Sequence, residues 1–106
     1  MDTKALQKIQ YGLFVLSASD SGKDNACIVN TVVQVTSSPM CIAVTVNKQN
    51  LTHDMIAATN KFNVSVIDVT APFAIFERFG FQSGRDADKF AGFDGAVRTG
   101  NGLMRL

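Results

Sequence analysis

Residues 25–39 read NACIVNTVVQVTSSP and residues 40–54 read MCIAVTVNKQNLTHD. No other stretch limits the possible folds as much. Read as a strand from Asn25 to Thr36, the first half puts Cys27, Val29, Thr31, Val33 and Val35 on one face and Ala26, Ile28, Asn30, Val32 and Gln34 on the other. Both faces are largely apolar. Antiparallel sheets with one wet face seldom show that pattern, so such a strand belongs in a closed barrel or at a subunit contact. Pro39 cannot donate within a central ladder and must sit at a corner, after which Met40 to Asn47 forms a second strand, again apolar on both faces.

The flanking sequence supplies further strands and two short helices. Leu6 and Ile9 within TKALQKIQ (residues 3–10) predict a short amphipathic helix, and Tyr11 to Ser19 predicts a strand ending in the DSGKD turn at Asp20 to Asp24. Thr52 to Thr59 predicts a helix capped by Asn50 or Thr52, with Met55 and Ile56 turned inward. Phe62 to Asp68 alternates as a strand should. Ala71 to Phe79 carries Pro72 in its first turn and Phe73, Phe76 and Phe79 at helical spacing, a core-packing pattern that Gly80 ends. After a polar loop at 80–90, the glycine-bearing tail offers only Ala96 to Arg98 as a strand and reads as loosely ordered. Strands with inserted short helices, without long crossover helices, predict a mostly β, antiparallel fold.

With 106 residues, 46% of them hydrophobic, the chain suits one domain, and a formal net charge of +1 calls for neither nucleic acid nor an anionic membrane as partner. Cys27 and Cys41 stand apart from any second thiol motif. They predict free thiols, no metal site and a reducing, cytoplasmic setting. No apolar run is long enough for a membrane span and no signal peptide pattern opens the sequence.

The chemistry concentrates where the second strand meets a helix start. Lys48, Asn50 and Thr52 there offer the donors a phosphomonoester needs, and backbone N–H groups at a helix N-terminus add partial positive charge. Lys48 is otherwise an ordinary surface lysine, and His53 reads either as a further group within reach of the phosphate or as a partly exposed first-turn residue with no nucleophile to serve. Asn30 and Gln34 lie between valines, where their amides need partners: the edge of a flavin ring, or groups across a strand or an interface. Arg85 and Lys89 read either as solvated loop charges or as cations that stabilise a reduced flavin. No protein catalytic residue is assigned, and no G-x-G-x-x-G follows a strand.

NACIVNTVVQVTSSP, VNKQNLTHDMI and FERFGFQSGRDADKF, in that order, resemble the flavin reductase-like, split-barrel FMN-binding domains. That family includes flavoredoxin and the NAD(P)H:FMN oxidoreductase domains that reduce rubredoxin. The likeness covers residues 5–93. It implies an antiparallel Greek-key split β-barrel over residues 1–106, a homodimer, and electron transfer from NAD(P)H through FMN to rubredoxin or free flavin. A non-enzymatic FMN carrier and a cofactor-free dimerising module are the alternatives. Carried over by residue, Asn30, Thr31, Val32 and Gln34 lie beside the isoalloxazine and Ser37 and Ser38 near the ribityl chain. Lys48, Asn50 and Thr52 hold the phosphate, while Ser83, Gly84, Arg85 and Lys89 form a loop over the ring or its phosphate end. Beyond Gly92 no likeness is expected, which implies a member short at its C-terminus.

Overall fold

The computed structural model describes residues 12–68 and 70–106. The expected helix at 3–10, the start of the first strand at Tyr11 and the position of Val69 lie outside the described residues. Strands β1 (Phe14–Asp20) and β2 (Lys23–Val29) form an antiparallel hairpin in which Asp20 faces Lys23. Its turn places Ser21 at φ 53° and Gly22 at φ 82°. Left-handed conformations at both central positions match the twist of the flanking strands. Strand β5 (Asn63–Val66) pairs with the other edge of β1, giving the order β2-β1-β5.

The sheet is covered on both faces. Val15 and Ala26 turn to one side, where Phe79 of α2 (Phe73–Gly80) meets them along with Phe90 and Phe93 of the following loop. Leu16 and Cys27 turn to the other, packing near Ile56 of α1 (Leu51–Thr59) and near Phe62, Val44 and Val46. Alternation along β1 thus delivers successive side chains to two separate cores, which explains why neither face of β2 reads as wet.

The long strand expected from Asn25 to Thr36 is two strands. Asn30 is an exposed bend, after which β3 (Val32–Ser37) leaves the sheet and pairs with β4 (Met40–Val44) as a separate hairpin. The expected face alternation therefore ends at Val29. Beyond it Val33 is 50% and Val35 56% exposed, and on β4 Met40 reaches 79%. The register slips between Gln34 and Thr36, as in a β-bulge. Mostly strands with few helices is the fold class, as expected, and the described strands fall into three separate sheets. None of the described helices is long and apolar enough to cross a membrane.

Helix α1 begins where its cap predicts. Asn50 has extended dihedrals and accepts a hydrogen bond from Thr52 N at 3.0 Å, and Asn60 closes the helix in the left-handed region. Pro72 stands one place earlier than expected, at the N-cap of α2, and of the three spaced phenylalanines only Phe79 is buried. Phe73 is 63% exposed and stacks with Phe76 and Phe81 outside the core.

The tail is docked, contrary to expectation. A ladder of β6 (Val97–Arg98) with β7 (Met104–Arg105) buries Leu103. Asn63 donates to Thr99 Oγ1 at 2.9 Å and accepts from Asn101 Nδ2 at 2.8 Å. Side-chain hydrogen bonds do there what a longer ladder does elsewhere, a signal that strand periodicity does not carry.

Candidate functional site

The connection from β4 to α1 is a self-bonded turn. Asn47 accepts from Gln49 N through its side chain at 2.9 Å and from Asn50 N through its carbonyl at 3.0 Å. The Asn50 side chain takes Thr52 N. The turn therefore satisfies several of its own donors and presents Lys48 to solvent. Thr52 does not face outward: it is fully buried, and its Oγ1 accepts from Asn25 Nδ2 at 3.0 Å.

Opposite this turn runs the segment after α2. Ser83 Oγ accepts from Arg85 N at 3.1 Å, and the Ser83 carbonyl takes Asp86 N and Ala87 N, which winds the loop into a tight turn. Arg85 pairs with Asp54 in the first turn of α1. That guanidinium, with His53 second, holds the Asp54 carboxyl below the usual carboxylate range. Gly84 is buried, and its carbonyl accepts from Lys23 Nζ at 2.6 Å. A cleft of about 350 Å³ separates the two segments, lined by Asn47, Gln49 and Asn50 on one side and Phe81, Gln82 and Ser83 on the other. Asn47 also borders a second hollow of about 460 Å³ that reaches Asn30 and Thr45. The two hollows share that residue, and both have volumes usual for small-molecule sites.

Of the expected residues, Asn50 and Ser83 line the cleft and Asn30 the adjoining hollow; Lys48 is exposed on the turn beside the cleft, Gly84 is buried behind its loop, and Arg85 is held by Asp54. Thr31 accepts Thr45 N through its carbonyl at 3.1 Å, and Val32 packs against the second core cluster. Gln34, Ser37 and Ser38 are not gathered. Gln34 bonds locally to the Thr36 carbonyl, and the two serines lie at the exposed hairpin tip, on the far end of β4 from Asn47. The seven steps from Met40 to Asn47 span about 23 Å in extended chain.

Lys89 is corrected outright. It is neither a solvated loop charge nor a cation facing the cleft, for it is 2% exposed and donates to the carbonyls of Ala26 at 2.7 Å and Phe79 at 2.9 Å. Burial pushes its ammonium below the usual lysine value and pushes the Cys27 thiol up. Asn25 escaped notice in the sequence. Its signal was an amide two places before Cys27, on the face that goes inward.

A mostly β domain with a polar cleft between a helix N-terminus and a glycine-bearing loop is the class defined by these observations. The chain belongs to the flavin reductase like domain family, whose model matches residues 6–106. The match runs through the tail, past Gly92, where the motifs alone predict its end. The chain is 46% identical over 100 residues to the high molecular weight rubredoxin of Moorella thermoacetica, covering 94% of this chain and 44% of that protein. It is 39% identical over 94 residues to the ferric-chelate reductase (NAD(P)H) of Archaeoglobus fulgidus, covering 89% of this chain and 56% of that one. The chain spans about half the length of the curated relatives it matches.

Membership implies use of a flavin. The donor chemistry fits one. A lysine beside a helix N-terminus suits a phosphate, the amides of Asn30 and Asn47 border the adjoining hollow, and Phe81, 70% exposed, flanks the cleft with an apolar ring.

Proposed function

We propose that this domain is an FMN-dependent oxidoreductase module that takes electrons from NAD(P)H and passes them to an acceptor such as rubredoxin or free flavin. The observation that carries this reading is the pair of relatives, one a high molecular weight rubredoxin and the other a ferric-chelate reductase (NAD(P)H), each matched along about nine-tenths of this chain. Bound FMN supplies hydride acceptance and one-electron transfer. The chain supplies the holding and the orienting. Lys48, aided by the α1 dipole and Asn50, receives the phosphate across from Ser83 and Arg85. Asn30, which lines the adjoining hollow, and Thr31 and Val32 next to it in the chain are the residues proposed to lie beside the ring. Thr52, Gly84 and Lys89 hold the walls from inside.

Gln34, Ser37 and Ser38 contribute if the β3–β4 hairpin closes over a second copy, completing the split barrel and the dimer together. The exposed valines and Ile42 of that hairpin give it the apolar surface such a contact needs. Free Cys27 and Cys41 suit a reducing cytoplasm.

The test is titration of purified protein into FMN, read by quenching of flavin fluorescence, followed by NADH and NADPH oxidation under anaerobic conditions. Binding with turnover supports the proposal. Binding without turnover supports the electron-carrier alternative, which the rubredoxin relative favours. A folded protein that leaves flavin fluorescence untouched would refute both and leave a cofactor-free module.

A further inference from the structure

Asn25 is fully buried on β2, its backbone fixed opposite Ala18 in the β1–β2 ladder. Its planar amide meets both walls of the cleft. Through Nδ2 it donates to Thr52 Oγ1 at 3.0 Å, and Thr52 N is in turn tied to the cap residue Asn50. On its other side lies Gly84. A Cβ at that position would fall 2.3 Å from Asn25 Oδ1 and 2.5 Å from its Cγ and Nδ2. Gly84 is not among the glycines with positive φ, so the requirement for glycine there is close approach to the amide, not backbone conformation. Lys23, two residues earlier on β2, fastens the same loop by donating to the Gly84 carbonyl at 2.6 Å.

We propose that Asn25 is a positioning residue that sets the spacing between the 47–52 turn and the 80–85 loop, and so tunes the site for the phosphate end of its ligand. The inference rests on the FMN reading for the identity of that ligand, while the coupling of the walls stands on the contacts alone. An apolar residue of similar size would fill the volume but could not hold Thr52. Asn25 is the one buried side-chain amide among the described residues, and it borders both Thr52 and Gly84, so a shift there is felt by both segments. Displacement of a binding group by even about 1 Å is enough to weaken a site substantially.

The test compares the wild-type domain with Asn25→Ala, Gly84→Ala and the double variant, each first checked for a cooperative urea transition. In the ligand-free proteins, hydrogen exchange is expected to quicken in both 47–52 and 80–87 for each single variant and to stay unchanged in β1 and β5. FMN affinity is expected to fall about ten-fold in the single variants while riboflavin affinity, which lacks the phosphate contribution, moves by less than about two-fold. The double variant is expected to lose no more than Asn25→Ala alone, because removing the amide makes room for the new methyl. Where Asn25→Ala fails to fold, Gly84→Ala carries both readouts from the loop side. Equal losses for FMN and riboflavin, or faster exchange in one wall only, would overturn the positioning role. A wild type that binds neither flavin defeats the functional proposal, and the exchange readout then decides the coupling by itself.

Discussion

The Lys89 ammonium bridges the Ala26 carbonyl on β2 to the Phe79 carbonyl near the end of α2, at 2.7 and 2.9 Å. It joins a strand and a helix where no ladder can. Arg78 anchors the same loop by donating to the Lys89 carbonyl at 2.9 Å while its guanidinium lies over the Phe93 ring. Replacing Lys89 with Met keeps the stem's bulk but orphans two buried carbonyls, at a cost of about 2–4 kcal/mol. Urea denaturation should show that loss. Linkage adds a signature: burial lowers the folded pKa of Lys89, so below the unfolded value of about 10.4 the unfolded chain binds more protons. Stability is therefore expected to rise as pH climbs through the window between the two values in the wild type, and to lack that slope in Lys89→Met. Asn50 is the cap of α1, and Asn50→Ala is expected to cost about 1 kcal/mol in the same assay, with flavin affinity falling as the turn loosens.

At the scale of elements, the tail and the β3–β4 hairpin are opposites. The tail has short strands but is clamped, because Arg98 donates to both carboxylate oxygens of Asp24, at 3.1 and 2.8 Å. This pairing is the leading cause of the lowered Asp24 pKa. Its contribution is fully present above the unfolded value of about 3.9 and is lost as pH falls through the lowered folded one. Asp24→Asn should accordingly flatten the acid limb of the stability profile, and Arg98→Ala should quicken hydrogen exchange across 97–105 while β1 stays protected. The hairpin, by contrast, has good strands and little cover.

For the whole molecule, that hairpin explains the shape. The radius of gyration is 14.4 Å, against about 13 Å for a compact domain of this length. The excess fits an arm that leaves the body after the bend at Asn30. If the arm is the dimer contact proposed above, Ile42→Lys on its exposed surface should convert a dimer to a monomer in sedimentation velocity, and Met40→Lys should do the same. A wild type that sediments as a monomer at micromolar concentration, or a dimer indifferent to both changes, removes the hairpin from that role.

What the sequence determined by itself was whatever closes within a few residues. The Ser21–Gly22 turn, the Asn50 cap and the corner at Pro39 are set by φ preferences and by hydrogen bonds reaching two or three positions. The loop at 47–50 and its lysine were legible for the same reason. The tertiary structure alone decided the break at Asn30 and the inward turn of Asn25, Thr52 and Lys89, since burial depends on segments that meet from far along the chain. Lys89 and Ala26 are separated by 63 positions, and Asn25 and Thr52 by 27. No local pattern records which distant partner will exclude water from a polar side chain, so the same lysine reads as a surface charge in the string and is a buried strut in the fold.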